Sequence, residues 1–268
     1  MNDFERNKVI HEIWEEVSSA TTTGSDDAMR SLLDTLKQQL NLHRALWISA
    51  VRKKDYVALP VAEILGEWYA VELIESEGLS EEETMAGYRK YMELRAANPD
   101  DHDPLTTRML ATAGNSRSEL ARNIVSEQEW DSHWVTQEYH RHAGIGDLIY
   151  SVFTVDEDCE SWIVLHRGLD DPPFTEGERE FVHLISMGVG QLHRMMSVCR
   201  GAALPCKRLL SHRERDVLKL LIRGLREKEI ATELDIAGST ARGHLQSIYR
   251  KYQVGGKFDL LRTMLEGG

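Results

Sequence analysis

The sequence is poor in the features that several classes of protein require. Its 268 residues include three cysteines, Cys159, Cys199 and Cys206. An odd number at these spacings builds neither a disulfide framework nor a zinc site, which points to a reducing cytoplasm. No apolar run approaches the roughly 18 residues of a membrane span. The N-terminus mixes acids with Phe4 and has no apolar stretch, so no secretory signal and no membrane partner are expected. No Ser-His-Asp arrangement, HExxH, P-loop or GxGxxG pattern stands out. Enzyme activity therefore has no support, and no cofactor is expected. Internal repeats and low-complexity tracts are also lacking.

The net charge of −12 argues at first against nucleic acid, but it is unevenly spread. From Lys207 onward, 13 Lys and Arg stand against 8 Asp and Glu, a net of +5. Residues 1–206 carry 19 basic and 36 acidic side chains, a net of −17. This asymmetry suggests two modules with different partners. The small basic module can approach phosphates, and the acidic bulk is repelled by them.

Apolar spacing predicts helices over 3–18 and 26–40, the second with Met29, Leu32, Leu33, Leu36 and Leu40 on one stripe. Residues 45–51 read as a buried strand, and 61–76 and 81–96 as helices. Ser-x-x-Glu or Thr-x-x-Glu capping boxes start at Ser80, Ser126, Thr175 and Ser211. The box at Ser126 opens a helix to about His142, ended by Gly144. Residues 147–155 and 161–166 are β-rich and joined by an acidic turn, as in a hairpin. From Thr175 a single long helix is expected over 176–199, with Phe181, Ile185, Gly188 and Leu192 on one face. This order gives the expected fold class. The N-terminal part is an α/β sandwich, an antiparallel sheet with helices, and the C-terminal part is all-α with four helices. The domains are 1–200, a linker 201–206, and 207–268.

The C-terminal module carries the clearest signal. A helix with Val217, Leu218, Leu220 and Leu221 ends at Gly224, and a short helix carries Ile230, Ala231 and Leu234. In the next helix Ala241, Leu245, Ile248 and Tyr252 form one buried stripe. The opposite face then shows Arg242, Gln246, Ser247, Arg250 and Lys251, with Gly243 beside them and no acid between Gly238 and Gly256. Arg and Gln can bond base edges bidentately, while hydroxyl, Lys and His groups hold phosphates. A last helix, about 257–265, offers Leu260, Leu261, Met264 and Leu265.

The segments 210–218 (LSHRERDVL), 224–231 (GLREKEIA), 240–244 (TARGH) and 248–251 (IYRK) resemble the LuxR/GerE-type helix-turn-helix. The resemblance covers residues 208–265. It implies a scaffold helix at 227–234 and a recognition helix at 239–252. By the same resemblance Arg242, Gly243 and Gln246 face bases, and Lys228, Thr240, His244 and Lys251 lie near phosphates. With Ser239, Ser247 and Arg250 these make up the expected set contacting double-stranded DNA. The sequence departs from the family at Ala237, where Ser usually caps the helix. Alanine cannot cap, so Ser239 is expected to do so, with a slightly later helix start.

For the N-terminal module, a receiver domain needs early paired acids after a strand, and this chain begins with helices instead. The module resembles GAF/PAS-like sensor domains, which implies a small-molecule-sensing or dimerising role. Trp130, Trp134 and Tyr139 on one helix are candidates for lining an apolar ligand pocket. Tyr91 and Asp103-Pro104 resemble the Tyr and Asp-Pro of autoinducer-binding regulators, so a quorum-sensing regulator stays open. A ligand-free protein-interaction module stays open as well. His133, Glu138, His140 and His142 suggest a metal, but His140 and His142 point to different helix faces and no metal is expected. One recognition helix reads only a few base pairs, so a homodimer on paired half-sites is expected. The favoured dimer surface is the stripe through Phe181, Ile185, Gly188 and Leu192. The other is the last helix, with Leu261 and Leu265.

Overall fold

The computed structural model describes residues 3–21, 24–52, 62–65, 67–76, 78, 81–203, 206 and 208–266. The elements in chain order are α1 (Asp3–Thr21), α2 (Ser25–Leu40), β1 (Arg44–Arg52), β2 (Ala62–Leu65), β3 (Trp68–Glu75), α3 (Glu81–Ala97), α4 (Pro104–Ala111), β4 (Arg117–Leu120), α5 (Ala121–Ile124) and α6 (Glu127–Ser132). A π-helical turn (Val135–His140) leads into β5 (Ile145–Asp156), β6 (Cys159–Gly168), α7 (Glu176–Gly188) and α8 (Gly190–Val198). The C-terminal part is all helical: α9 (His212–Ile222), α10 (Glu227–Glu233), α11 (Gly238–Lys251) and α12 (Lys257–Glu266).

Among the described residues six strands form one sheet in the order β2-β3-β1-β6-β5-β4, with every neighbouring pair antiparallel. Side chains alternate across it with the two-residue period of a strand. On β1, Ala45 and Trp47 join Met29, Leu32, Leu36, Phe181, Ile185 and Leu192 of α2, α7 and α8 on one face. Leu46 and Ala50 face the other way, toward Leu105, Met109, Val152 and Trp162 on the side covered by the shorter helices. Both faces of the central strands are buried, which explains why residues 45–51 read as an unbroken apolar run.

Three local expectations are corrected. Residues 61–76 are not a helix but contain β2 and β3. Trp68, Tyr69, Val71 and Ile74 suit a pleated surface, and pairing with β1 (Trp47 opposite Ile74, Val51 opposite Tyr69) outweighs the helical spacing. The helix from Ser126 has its capping box, but it stops at Ser132 because His133 is extended, with φ −76 and ψ 142. The long helix over 176–199 is two helices broken at Val189. Its stripe is internal: Phe181, Ile185 and Leu192 are buried, and a side chain at Gly188 would run into the Trp14 indole of α1. The dimer surface favoured from the sequence is thus core of the same chain. The capping box expected at Ser80 and the side chain of Leu265 lie outside the described residues.

Candidate nucleic-acid interface and its docking on the sensor

The helix-turn-helix is assembled from local signals. Ser211 accepts from the Glu214 amide at 3.3 Å, and Glu214 accepts from the Ser211 amide at 2.7 Å, which fixes the start of α9. Gly224 ends it at φ 97. Asp235 at φ 50 makes the turn between α10 and α11. Helix α11 opens at Gly238 with Ala237 in the capping position and no side-chain cap. The later start expected from Ser239 is therefore corrected, and Ser239 lies within the first turn.

Ala241, Leu245 and Ile248 of α11 are buried against α9 and α10, with Leu218, Leu221 and Ile230 in the same core. Packing that stripe turns the rest of the helix outward. Ser239, Thr240, Arg242, Gly243, Gln246 and Arg250 are exposed, as is Lys228 on α10, and His244 and Ser247 are half-buried. Arg242 does not extend freely into solvent: its Nε donates to both carboxylate oxygens of Glu227, at 3.1 and 3.3 Å.

Two members of the expected set are engaged internally. Lys251 donates to the Leu209 carbonyl at 3.0 Å and to Glu214 at 2.6 Å. Ser247 donates to the other oxygen of Glu214 at 2.7 Å. Burial raises the Glu214 carboxyl, but the bonds from Lys251, Ser247 and the Ser211 amide outweigh it and hold the pKa below the ordinary value. Lys257, the first residue of α12, donates to the Gly224 and Leu225 carbonyls at 3.2 and 3.4 Å.

The helical module is docked on the end of the sheet. Val51, Val155, Cys159 and Val198 share one apolar cluster with Leu210, Val217, Leu218 and Tyr252, and the Tyr252 hydroxyl donates to the Val198 carbonyl. Beside this seam lies a charged cluster. Arg200, with a side chain 2% exposed, donates to Glu72 at 2.5 Å and to Asp26 at 3.0 Å. From α9, Arg215 also reaches Glu72, and Lys219 donates to Asp26 at 2.5 Å. Burial raises the Asp26 carboxyl, and Arg200 and Lys219 more than offset this, leaving it below its usual pKa. Sequence reasoning missed these residues. Glu72 and Arg215 are 143 positions apart, and no local pattern links them.

In the N-terminal part, a cleft of about 460 Å³ between α3 and the segment after α6 is lined by Gly87, Lys90, Glu138, Tyr139, His142 and Ala143. Of the three aromatics expected to line a pocket, Tyr139 reaches it. Trp134 packs on Leu94 and Val135 and donates to the Asp101 carbonyl at 2.9 Å. Trp130 stacks on His140 with ring centres 5.0 Å apart. Asp103 is the N-cap of α4 and accepts from the Leu105 and Thr106 amides at 3.0 and 3.2 Å. Among the described residues no cluster of metal-ligating side chains forms, and no helix is long and apolar enough to cross a membrane.

The fold and this surface define a helix-turn-helix protein with an attached α/β module. Residues 208–264 match the family described as bacterial regulatory proteins, luxR family. The spore germination protein GerE of Bacillus subtilis is 39% identical over 62 residues, covering 23% of this chain and 84% of GerE. The chain belongs to this family. The response regulator protein TodT of Pseudomonas putida is 45% identical over 54 residues, and the chain spans 24% of its length. Among solved structures, Escherichia coli SdiA aligns over 100% of this chain and 98% of its own, with 13% identity and a TM-score of 0.43.

Proposed function

We propose that the chain is a sequence-specific DNA-binding transcription regulator whose N-terminal domain, residues 1–200, governs the binding of residues 207–268 to DNA. The observation that carries this reading is the outward face of α11. Arg242, Gln246 and Arg250 are exposed while Ala241, Leu245 and Ile248 are buried, and the described residues of the docked N-terminal part leave that face uncovered. Guanidinium and amide groups in the first turns of a recognition helix are the side chains that discriminate base edges in a major groove. A homodimer on paired half-sites completes the reading, because one such helix reads too little sequence for a genome. The cleft beside Tyr139 supports a small-molecule input, with Lys90, Glu138 and His142 as polar groups at its wall.

The test is selection of duplexes from a randomised library by the full-length protein, followed by anisotropy titrations. A preferred duplex bound at least about 1,000-fold more tightly than random DNA supports the reading. Binding with no sequence preference overturns it. The small-molecule part is tested separately by native mass spectrometry of the protein from its own host. A bound mass lost on Tyr139→Ala supports the cleft as the binding site.

A further inference from the structure

The pair formed by Glu227 and Arg242 joins the two helices of the motif. Glu227 is the first residue of α10, and Arg242 lies in the second turn of α11. The carboxylate takes Nε of Arg242 at 3.1 and 3.3 Å, and Nη2 stands 3.1 Å from the same oxygen Oε1. This is the side edge of the guanidinium. Among the described residues Glu227 is the partner of this guanidinium, and none lies across its end edge, formed by the two Nη groups. A guanine needs such an end edge, two parallel N–H groups directed at O6 and N7.

Exposure adds to the argument. The Arg242 side chain is 66% exposed while that of Glu227 is 33% exposed, so the acid is the more anchored partner and the guanidinium projects beyond it. Gly243 follows Arg242, and a side chain there would meet nothing within 4 Å, so the surface beside the guanidinium is open. An arginine without such a partner swings through many rotamers and pairs equally well with a phosphate or a base.

We propose that Glu227 is a positioning residue that determines specificity: by holding the side edge of Arg242 it directs the free edge at a guanine and keeps the arginine off the phosphates. The proposal rests on the DNA-binding reading above. Glu227 also sets a cost, because a carboxylate near the groove opposes non-specific attachment to the polyanion. Its removal therefore acts in opposite directions on the two kinds of binding.

The experiment uses the full chain and the duplex that the wild-type protein selects from a randomised library, with a scrambled duplex as control. Glu227→Gln is expected to lower the ratio of specific to non-specific affinity about tenfold at one G·C pair, within the range a bidentate contact supplies. Binding to scrambled DNA is expected to hold or rise, with a steeper salt dependence. In an Arg242→Ala background, Glu227→Gln is expected to leave the ratio unchanged, which separates positioning through Arg242 from any general structural role. Equal weakening on both duplexes overturns the proposal, as does the same loss of ratio without Arg242. Failure to select any preferred duplex counts against the DNA-binding reading itself, before Glu227 is tested.

Discussion

The guanidinium of Arg200 lies 4.8 Å from the centre of the Trp47 ring. Trp47 sits on β1, one of the two central strands of the sheet, fully buried, so the positive charge rests on an apolar shelf and is held there by Asp26 and Glu72. Arg215 and Lys219 of α9 share those same carboxylates. One cluster thus ties the sheet, α2, the end of α8 and the first helix of the DNA-binding module. A buried charge is tolerated only when paired and hydrogen-bonded, and here two acids serve three cations.

Glu72→Gln removes the acid that bridges Arg200 and Arg215. The expected loss is about 2–4 kcal/mol, as for a buried ion pair deprived of one partner. Amide hydrogen exchange in α9 is expected to speed up more than exchange in β5 or β6. Unchanged protection of α9 would show that the apolar seam alone holds the two parts together.

Acid is expected to weaken the fold in two steps. Burial lowers His140 and His193 to about 4. Below about pH 6.5 the unfolded chain takes up protons that the folded chain refuses, so stability falls as pH drops from 6.5 toward 4. For His193 the loss is on the order of 3 kcal/mol across that window. Asp26 acts lower: its folded pKa is depressed, so its contribution is present above about pH 4 and is lost as pH falls through the folded value. Urea melts across this range check both steps, and His193→Gln is expected to flatten the upper slope by about one proton.

Lys251→Ala tests the inward turn of a residue that the family resemblance placed near phosphates. Its ammonium donates to the Leu209 carbonyl and to Glu214, whose carboxylate also accepts from the Ser211 amide. The expected outcome is a loss of about 2–3 kcal/mol in stability from the charge left at Glu214. The salt dependence of DNA binding is expected to stay nearly unchanged. A slope flatter by about one unit with full stability would make Lys251 a phosphate contact instead.

Gly201→Ala tests the joint between the two parts. Gly201 has φ 70, and a Cβ there would drive into the Arg208 carbonyl oxygen. Both the left-handed backbone and the clash oppose a side chain, so a loss of about 1–3 kcal/mol is expected. Thermal denaturation measures it, and a neutral result would mean that the turn can relax without cost.

Ile185→Glu is expected to unfold the N-terminal part rather than to yield a folded monomer. Ile185 is fully buried among Phe181, Val182 and Leu192, and a carboxylate there has no partner. Circular dichroism and sedimentation distinguish the outcomes: a soluble, folded monomer would return this stripe to the dimer interface.

The sequence by itself determined the C-terminal module. Its capping box, the glycine at 224 and the stripe Ala241, Leu245, Ile248 and Tyr252 are local signals, and a small helical domain is specified mostly by contacts close in the chain. The hairpin of β5 and β6 was legible for the same reason. Only the tertiary structure decided that residues 62–65 and 68–75 are strands, because what favours them is pairing, of β3 with β1 and of β2 with β3, which their own spacing does not show. It also decided that the Phe181 stripe is core, since α1 supplies Trp14 to cover it from the far end of the module. The pairing of Glu227 with Arg242 and of Arg200 with Glu72 was equally hidden. A charged residue in a sequence announces that it needs a partner or water, and the fold alone chooses which.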